Sequence, residues 1–245
     1  MTKIVKVLFF LMAWGISYAH ALSGEEAIRD VETKYSAITS YKVMYRLEVN
    51  SQEQSFTSEG AVFFKTPDKV KMESVVMLNG PAKQTIISNG SLMWVYIPGT
   101  SGVSKINLDA LRRHFGNNYF DYQEPNVCKP FKEVDRDSLK FLGVEQYEGK
   151  DVYVFEAAPS KNQIAQGLSP AAKVTLWIST DTGLEHKTSI TDESGNEIMR
   201  HIFKDFVINT PINDYEFEFK PSKDVQISDI TNDIQAKMKE IVAGR

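Results

Sequence analysis

Residues 41–49 read Tyr-Lys-Val-Met-Tyr-Arg-Leu-Glu-Val. Tyr41, Val43, Tyr45, Leu47 and Val49 alternate with Lys42, Met44, Arg46 and Glu48. Successive side chains of a β-strand point to opposite faces of its sheet, so this run is a strand with one buried face. Just upstream the period changes. Ser23 and Glu26 have the spacing of a capping box, and Ala27, Val31, Tyr35 and Ile38 recur at helical spacing. Residues 24–39 are therefore expected to form one amphipathic helix.

Downstream the strand pattern returns again and again. Residues 56–65 end at Thr66-Pro67-Asp68, and 69–77 end at Asn79-Gly80-Pro81. Residues 84–88 and 92–97 flank Asn89-Gly90, a dipeptide suited to the tight turn of a hairpin. A short strand at 103–106 precedes Asn107, which can cap a helix through Leu108, Leu111 and Phe115. Residues 119–137 read as an irregular connection. Strands resume at 139–146 and 151–158, a polar insert covers 159–170, and 173–179, 184–191, 197–208 and 215–220 complete the set. Thr231 is expected to cap a last helix that carries Ile234, Met238 and Ile241 on one face. The expected fold is mainly β with α. It is a single curved antiparallel sheet, an incomplete barrel of about 11 strands, lidded by helices around an apolar cavity.

Composition narrows the function. The 245 residues carry 28 Lys+Arg against 32 Asp+Glu, a formal net charge of −4, which excludes the basic footprint of a nucleic-acid binder. With 42% hydrophobic and 24% charged residues the chain can bury a core and is not disordered. A single cysteine rules out an internal disulfide and a Cys-rich zinc site. Lys3 and Lys6, the apolar run 7–16 and Ala19-His20-Ala21 have the layout of a secretory signal peptide, and the run is too short to span a membrane. Residues 1–21 are thus expected to be a signal peptide and 22–245 one exported domain. Leu22, where a bacterial lipoprotein would need cysteine, makes the expected product soluble, periplasmic and unlipidated.

Catalytic constellations are scarce. Asp181-Thr182-Gly183 spells the aspartic-protease triplet, but it has no second copy and sits between two strands, where Asp and Gly are ordinary turn residues. His114, His186 and His201 show no metal-binding spacing, although His186 and His201 lie on adjacent expected strands. Cys128 lacks a nucleophile signature. No catalytic residue, metal ligand or cofactor site is assigned. What the strands carry instead is Met and aromatic side chains, among them Met77, Met93, Trp94, Tyr96 and Trp177, which suit a surface that adapts to varied apolar ligands. Taking one face of each strand, the expected cavity lining is Tyr45, Leu47, Val62, Phe64, Val70, Met72, Trp94, Tyr96 and Trp177.

Several stretches resemble the periplasmic lipoprotein carrier LolA and its relatives. They are IRDVETKYSAITSYKVMYRLEV, GAVFFKTPDKVKME, IISNGSLMWVYIPGTSGV and the late YEFEFKPSKDVQI. The resemblance implies an eleven-stranded incomplete barrel whose cavity receives acyl chains, with no covalent chemistry. It also implies acylated lipoproteins or lipids as cargo, an inner-membrane releasing complex and an outer-membrane acceptor as partners, no nucleic acid, and a monomer. Such carriers have an arginine just before the strand-turn proline, where it hydrogen-bonds the lid. Here that position is Thr66, and Lys65, Lys69 and Lys71 are the nearby cations, none of which reproduces a planar guanidinium fork. The first domain of the RseB/MucB envelope-stress regulators resembles the same fold. The alternative expectation is therefore a lipid-sensing regulator of that kind, or a general periplasmic lipid-binding protein.

Overall fold

The computed structural model describes residues 22–50, 55–77, 80–97, 102–116, 128–165, 167–221 and 225–243. The expected signal peptide and the first part of the 119–137 connection lie outside them. The chain opens with helix α1 (Gly24–Ser36), whose capping box is formed: Ser23 Oγ accepts the Glu26 N–H, and the Glu26 carboxylate accepts the Ser23 N–H. Six strands follow as a meander: β1 (Ser40–Asn50), β2 (Ser55–Lys65), β3 (Lys69–Met77), β4 (Pro81–Asn89), β5 (Leu92–Tyr96) and β6 (Gly102–Asn107). Helix α2 (Leu108–Phe115) starts where Asn107 Oδ1 accepts the Ala110 N–H at 2.9 Å. A second meander consists of β7 (Lys140–Tyr147), β8 (Lys150–Ala157), β9 (Lys173–Ser179), β10 (Glu185–Thr191) and β11 (Glu197–Ile208), with the short helix α3 (Lys161–Ala165) between β8 and β9. A parallel strand, β12 (Gln226–Asp229), and helix α4 (Thr231–Ala243) complete the order.

All strands form one open, curved, 12-stranded sheet in the order β12-β6-β5-β4-β3-β2-β1-β11-β10-β9-β8-β7. The two meanders meet at one seam, where β1 pairs with β11. Register fixes the faces. Tyr41 stands opposite Phe64, Val43 opposite Val62 and Tyr45 opposite Gly60, while Phe64 and Val62 face Val70 and Met72 on β3. The same face carries the helices. Ala27 and Val31 of α1 pack with Phe155, Val174, Leu176 and Ile178, and Leu108 and Leu111 of α2 pack with Met238 of α4 over Ile106. Phe155 and Phe203 are fully buried on it. At Gly60 the strands come so close that a Cβ would lie 1.9 Å from the Glu73 carbonyl oxygen, so the position admits no side chain.

Three expectations are corrected. Residues 215–220 have a strand-like alternation, but β3 and β4 already have both neighbours, so the segment lies across the outer face instead. There Asp214–Phe217 forms a 3-10 turn, Phe217 is fully buried, and Phe219 stacks on Trp94 with ring centroids 6.0 Å apart. The twelfth strand is the polar Gln226–Asp229, held by β6 and too short for periodicity to reveal. Thr231 does not cap α4 with its hydroxyl. It accepts the Asn107 N–H at 2.8 Å, and Asp229 takes both the Thr231 hydroxyl and its N–H, which pulls the Asp229 carboxyl down to about 2.

Candidate functional site

Between the end lidded by α1 and the end lidded by α2 and α4, the helix-covered face is not sealed. Leu47, Phe56, Met72, Val76, Ile86 and Met199 share that face by register and stay only half-buried. Of the residues expected to line a cavity, Tyr45, Leu47, Val62, Phe64, Val70 and Met72 come together here. Trp94, Tyr96 and Trp177 do not. Ile86 pairs with Val95, which places Val95 on this face and Trp94 and Tyr96 on the other, against Phe219. On β9 it is Leu176 and Ile178 that point inward, while Trp177 lies under the Lys187 ammonium, 4.1 Å from its ring centre. A one-residue offset moves a side chain to the opposite face, and that is the difference at all three positions.

The sequence reading missed the polar groups embedded in this face. Tyr45 Oη and Ser58 Oγ are hydrogen-bonded at 3.0 Å. Ser74 stands opposite Gly60, and Gln84 stands opposite Ser74. Near the seam, Glu185 is buried opposite Ile178 and accepts the Thr188 hydroxyl. Burial pushes the Glu185 carboxyl up to about 8 against the Thr188 hydrogen bond, so it is protonated at neutral pH. His201 stands opposite Thr188 and Leu47, and its ring packs on Phe203 and edge-on to Tyr45. Burial brings His201 down to about 4, leaving it neutral, and its Nε2 is sealed from solvent without a hydrogen-bond partner. These groups were legible only as polar residues at inward positions of otherwise apolar strands.

The other candidates resolve simply. His186 packs at a tilt against Phe206 with ring centres 4.8 Å apart, and the register sets Thr188, not His186, opposite His201, so the two histidines do not face one another. Cys128 is fully buried, its N–H donating to Tyr41 Oη at 3.3 Å, and burial pushes its thiol far above the range of a nucleophile. Asp181 sits in the turn between β9 and β10. Among the described residues no three His, Cys, Asp or Glu side chains come together as a metal site. The outer face has a groove of about 580 Å³ beside Met44, Val75 and Ile202, but Arg46 and Lys204 at its rim are already paired with Glu48, Glu59 and Glu148.

Thr66 donates its N–H to Thr39 O at 2.9 Å. The nearby lysines point away from the lid: Lys65 and Lys69 pair with Asp214 at 2.6 and 2.9 Å, and Lys71 with Glu216 at 3.2 Å, all on the outer face. The lid itself supplies the guanidinium. Arg112 of α2 pairs with Asp68, two residues past Thr66 in the β2–β3 turn, and with Asp109 at 2.9 Å.

A family model described as "Uncharacterized protein" matches residues 57–220, most of the chain. The chain belongs to that family. No curated protein matches its sequence. Among solved structures, an uncharacterized conserved protein from Thermus thermophilus is 13% identical with a TM-score of 0.53, covering 84% of this chain and 98% of its own, a likeness of fold. Mycobacterium tuberculosis lipoprotein LppX is 16% identical with a TM-score of 0.46, covering 76% and 95%. Pseudomonas aeruginosa MucB, in its complex with MucA, is 16% identical with a TM-score of 0.43, covering 82% of this chain and 61% of its own. The chain therefore spans about three fifths of MucB's length. The architecture expected from the LolA resemblance, an open curved sheet lidded by helices, is the architecture of this family member. Among the described residues no helix is long and apolar enough to cross a membrane.

Proposed function

We propose that the protein is an exported, soluble carrier that binds the acyl chains of lipoproteins or other lipids on its helix-covered face and moves them toward the outer membrane. The observation behind this reading is the half-buried apolar stretch from Leu47 to Ile86, held between two helix-lidded ends of one open sheet. Each acyl methylene removed from water there contributes about 0.8 kcal/mol, so partial enclosure of a chain already competes with solvent. Met72 and Met199 give that lining adaptable side chains, which favours varied cargo and release as well as capture. The reading needs no covalent step. Residues 1–21 serve as the export signal and 22–245 as the carrier.

The test is mass spectrometry of what co-purifies with the protein exported into a bacterial periplasm under non-denaturing conditions. Acylated lipoprotein peptides are the expected result. Phospholipid or free fatty acid alone would overturn the lipoprotein specificity and keep a general lipid carrier. An empty protein that also fails to bind a fluorescent fatty-acyl probe would overturn the reading.

A further inference from the structure

Two rows of side chains cross the helix-covered face at right angles to the strands. One runs Phe203, Tyr45, Gly60, Ser74, Gln84, and its neighbour runs His201, Leu47, Ser58, Val76, Ala82. In the first row Ser74 and Gln84 have no side-chain hydrogen-bond partner among the described residues, although Ser74 is only 6% exposed. In the second, His201 Nε2 is sealed and equally without a partner. A polar group sealed inside an apolar surface costs free energy unless something satisfies it, which is the position of His201 Nε2; the Ser74 hydroxyl and the Gln84 amide, in rows otherwise apolar or already paired, are open to a ligand or to water.

What could satisfy them is constrained by charge. Lys132 bears on the His201 end, but at the Ser74–Gln84 end the register puts no Lys, Arg, Asp or Glu on this face, so a phosphate or carboxylate placed there would lose its water without gaining an adjacent counter-charge. The Ser74 hydroxyl and the Gln84 amide offer donors on adjacent strands, about 4.8 Å apart. That arrangement suits uncharged acceptors at the root of apolar chains. We infer that Ser74 and Gln84 are specificity-determining residues that hydrogen-bond the carbonyl oxygens of acyl-ester lipids, with the chains lying along Met72, Val76 and Ile86. The inference rests on the carrier reading above and goes beyond it by naming the part of the ligand that is recognised and the residues that recognise it.

The experiment compares 1,2-dioctanoylglycerol with its ether analogue 1,2-di-O-octylglycerol, which has the same chain length and no carbonyl. Both are titrated against a bound naphthylamine probe on the purified full chain. The ester should bind about 3- to 10-fold more tightly, the worth of one or two net hydrogen bonds. Ser74→Ala and Gln84→Met, each small enough to leave the fold intact, should bring the ester down to the ether's affinity and leave the ether unchanged. Equal affinities in the unaltered protein, or variants that weaken both lipids alike, would overturn the assignment while the carrier reading stood. Failure of both lipids to bind would overturn both.

Discussion

Replacing Glu185 by glutamine should stabilise the protein at neutral pH and remove the fall in stability between pH 5 and 8 that this carboxyl contributes, leaving the opposite trend set by the buried His186 and His201. The carboxyl is buried against Ile178, accepts the Thr188 hydroxyl, and has Glu133 and Lys132 as its nearest charged neighbours. Burial dominates and raises it from the ordinary 4.5 to about 8. In the unfolded chain the group ionises near 4.5. In the folded protein it holds its proton until about pH 8, so the folded state binds more protons throughout that interval. The sign follows: the stability this group contributes is greatest below the unfolded value and falls as pH rises toward 8. At pH 7 the gap between the pH and 4.5 corresponds to about 3 kcal/mol lost relative to pH 4.5, at about 1.4 kcal/mol per pH unit. Glutamine has the shape of the protonated acid, can still accept from Thr188, and cannot ionise. Urea unfolding of both proteins at pH 5, 6, 7 and 8 measures the difference. The two should nearly coincide at pH 5 and separate by about 3 kcal/mol at pH 7. Parallel profiles across the range would refute the reasoning, since they would mean that Glu185 ionises in the folded state at no cost.

Three further outcomes follow from other parts of the molecule. Arg112→Met should remove the tie between α2 and the β2–β3 turn, costing about 1–2 kcal/mol because both partners are largely shielded, and hydrogen exchange should show α2 losing protection before β8 or β9. Asp68→Asn should add little to that cost, and a double-mutant cycle in urea checks the coupling. Gly60→Ala should destabilise by about 3 kcal/mol or more, as the new methyl meets the Glu73 backbone, and thermal unfolding would show a loss of several degrees. Met72→Asp should abolish binding of a fatty-acyl probe, whereas Trp94→Leu, on the outer face, should leave it unchanged while lowering the melting temperature through loss of the Phe219 stack. Equal loss of binding in both would contradict the assignment of faces.

Much of this molecule was legible because its strands alternate cleanly. Tyr41 to Val49 announces β1, Asn89-Gly90 announces the β4–β5 hairpin, and Ser23 with Glu26 announces α1. In each case one local interaction decides the conformation. The faces were harder to read. Trp94, Tyr96 and Trp177 are large aromatics, and the choice of one face for each strand placed them in the interior. They are nonetheless outer-face residues with covers of their own: Phe219 arrives from more than a hundred residues away, and Lys187 lies over the Trp177 ring. The Glu185 cluster was hidden for the opposite reason. A buried acid is tolerated only when the completed fold keeps it neutral and hydrogen-bonded, and neither condition leaves a periodic trace. The run 215–220 shows the converse, a genuine strand pattern whose potential neighbours were already taken.

The seam between β1 and β11 has a consequence for how the chain is built. Within each meander every strand pairs with one that has just preceded it, so each half can assemble as its own strands become available. Tyr45 and Phe203, which stand opposite one another at the seam, are separated by most of the chain, as are the β6 and β12 residues Val103 and Ile227. Both late pairings must close large loops, an entropic cost met only once the last strands are in place. Until then β1 offers an open hydrogen-bonding edge beside an uncovered Tyr41, Val43 and Phe64. The interval before β11 docks is therefore the time at which the nascent protein is most exposed to aggregation and to chaperone capture, and slowing that docking should lower the yield of folded protein even when final stability is unchanged.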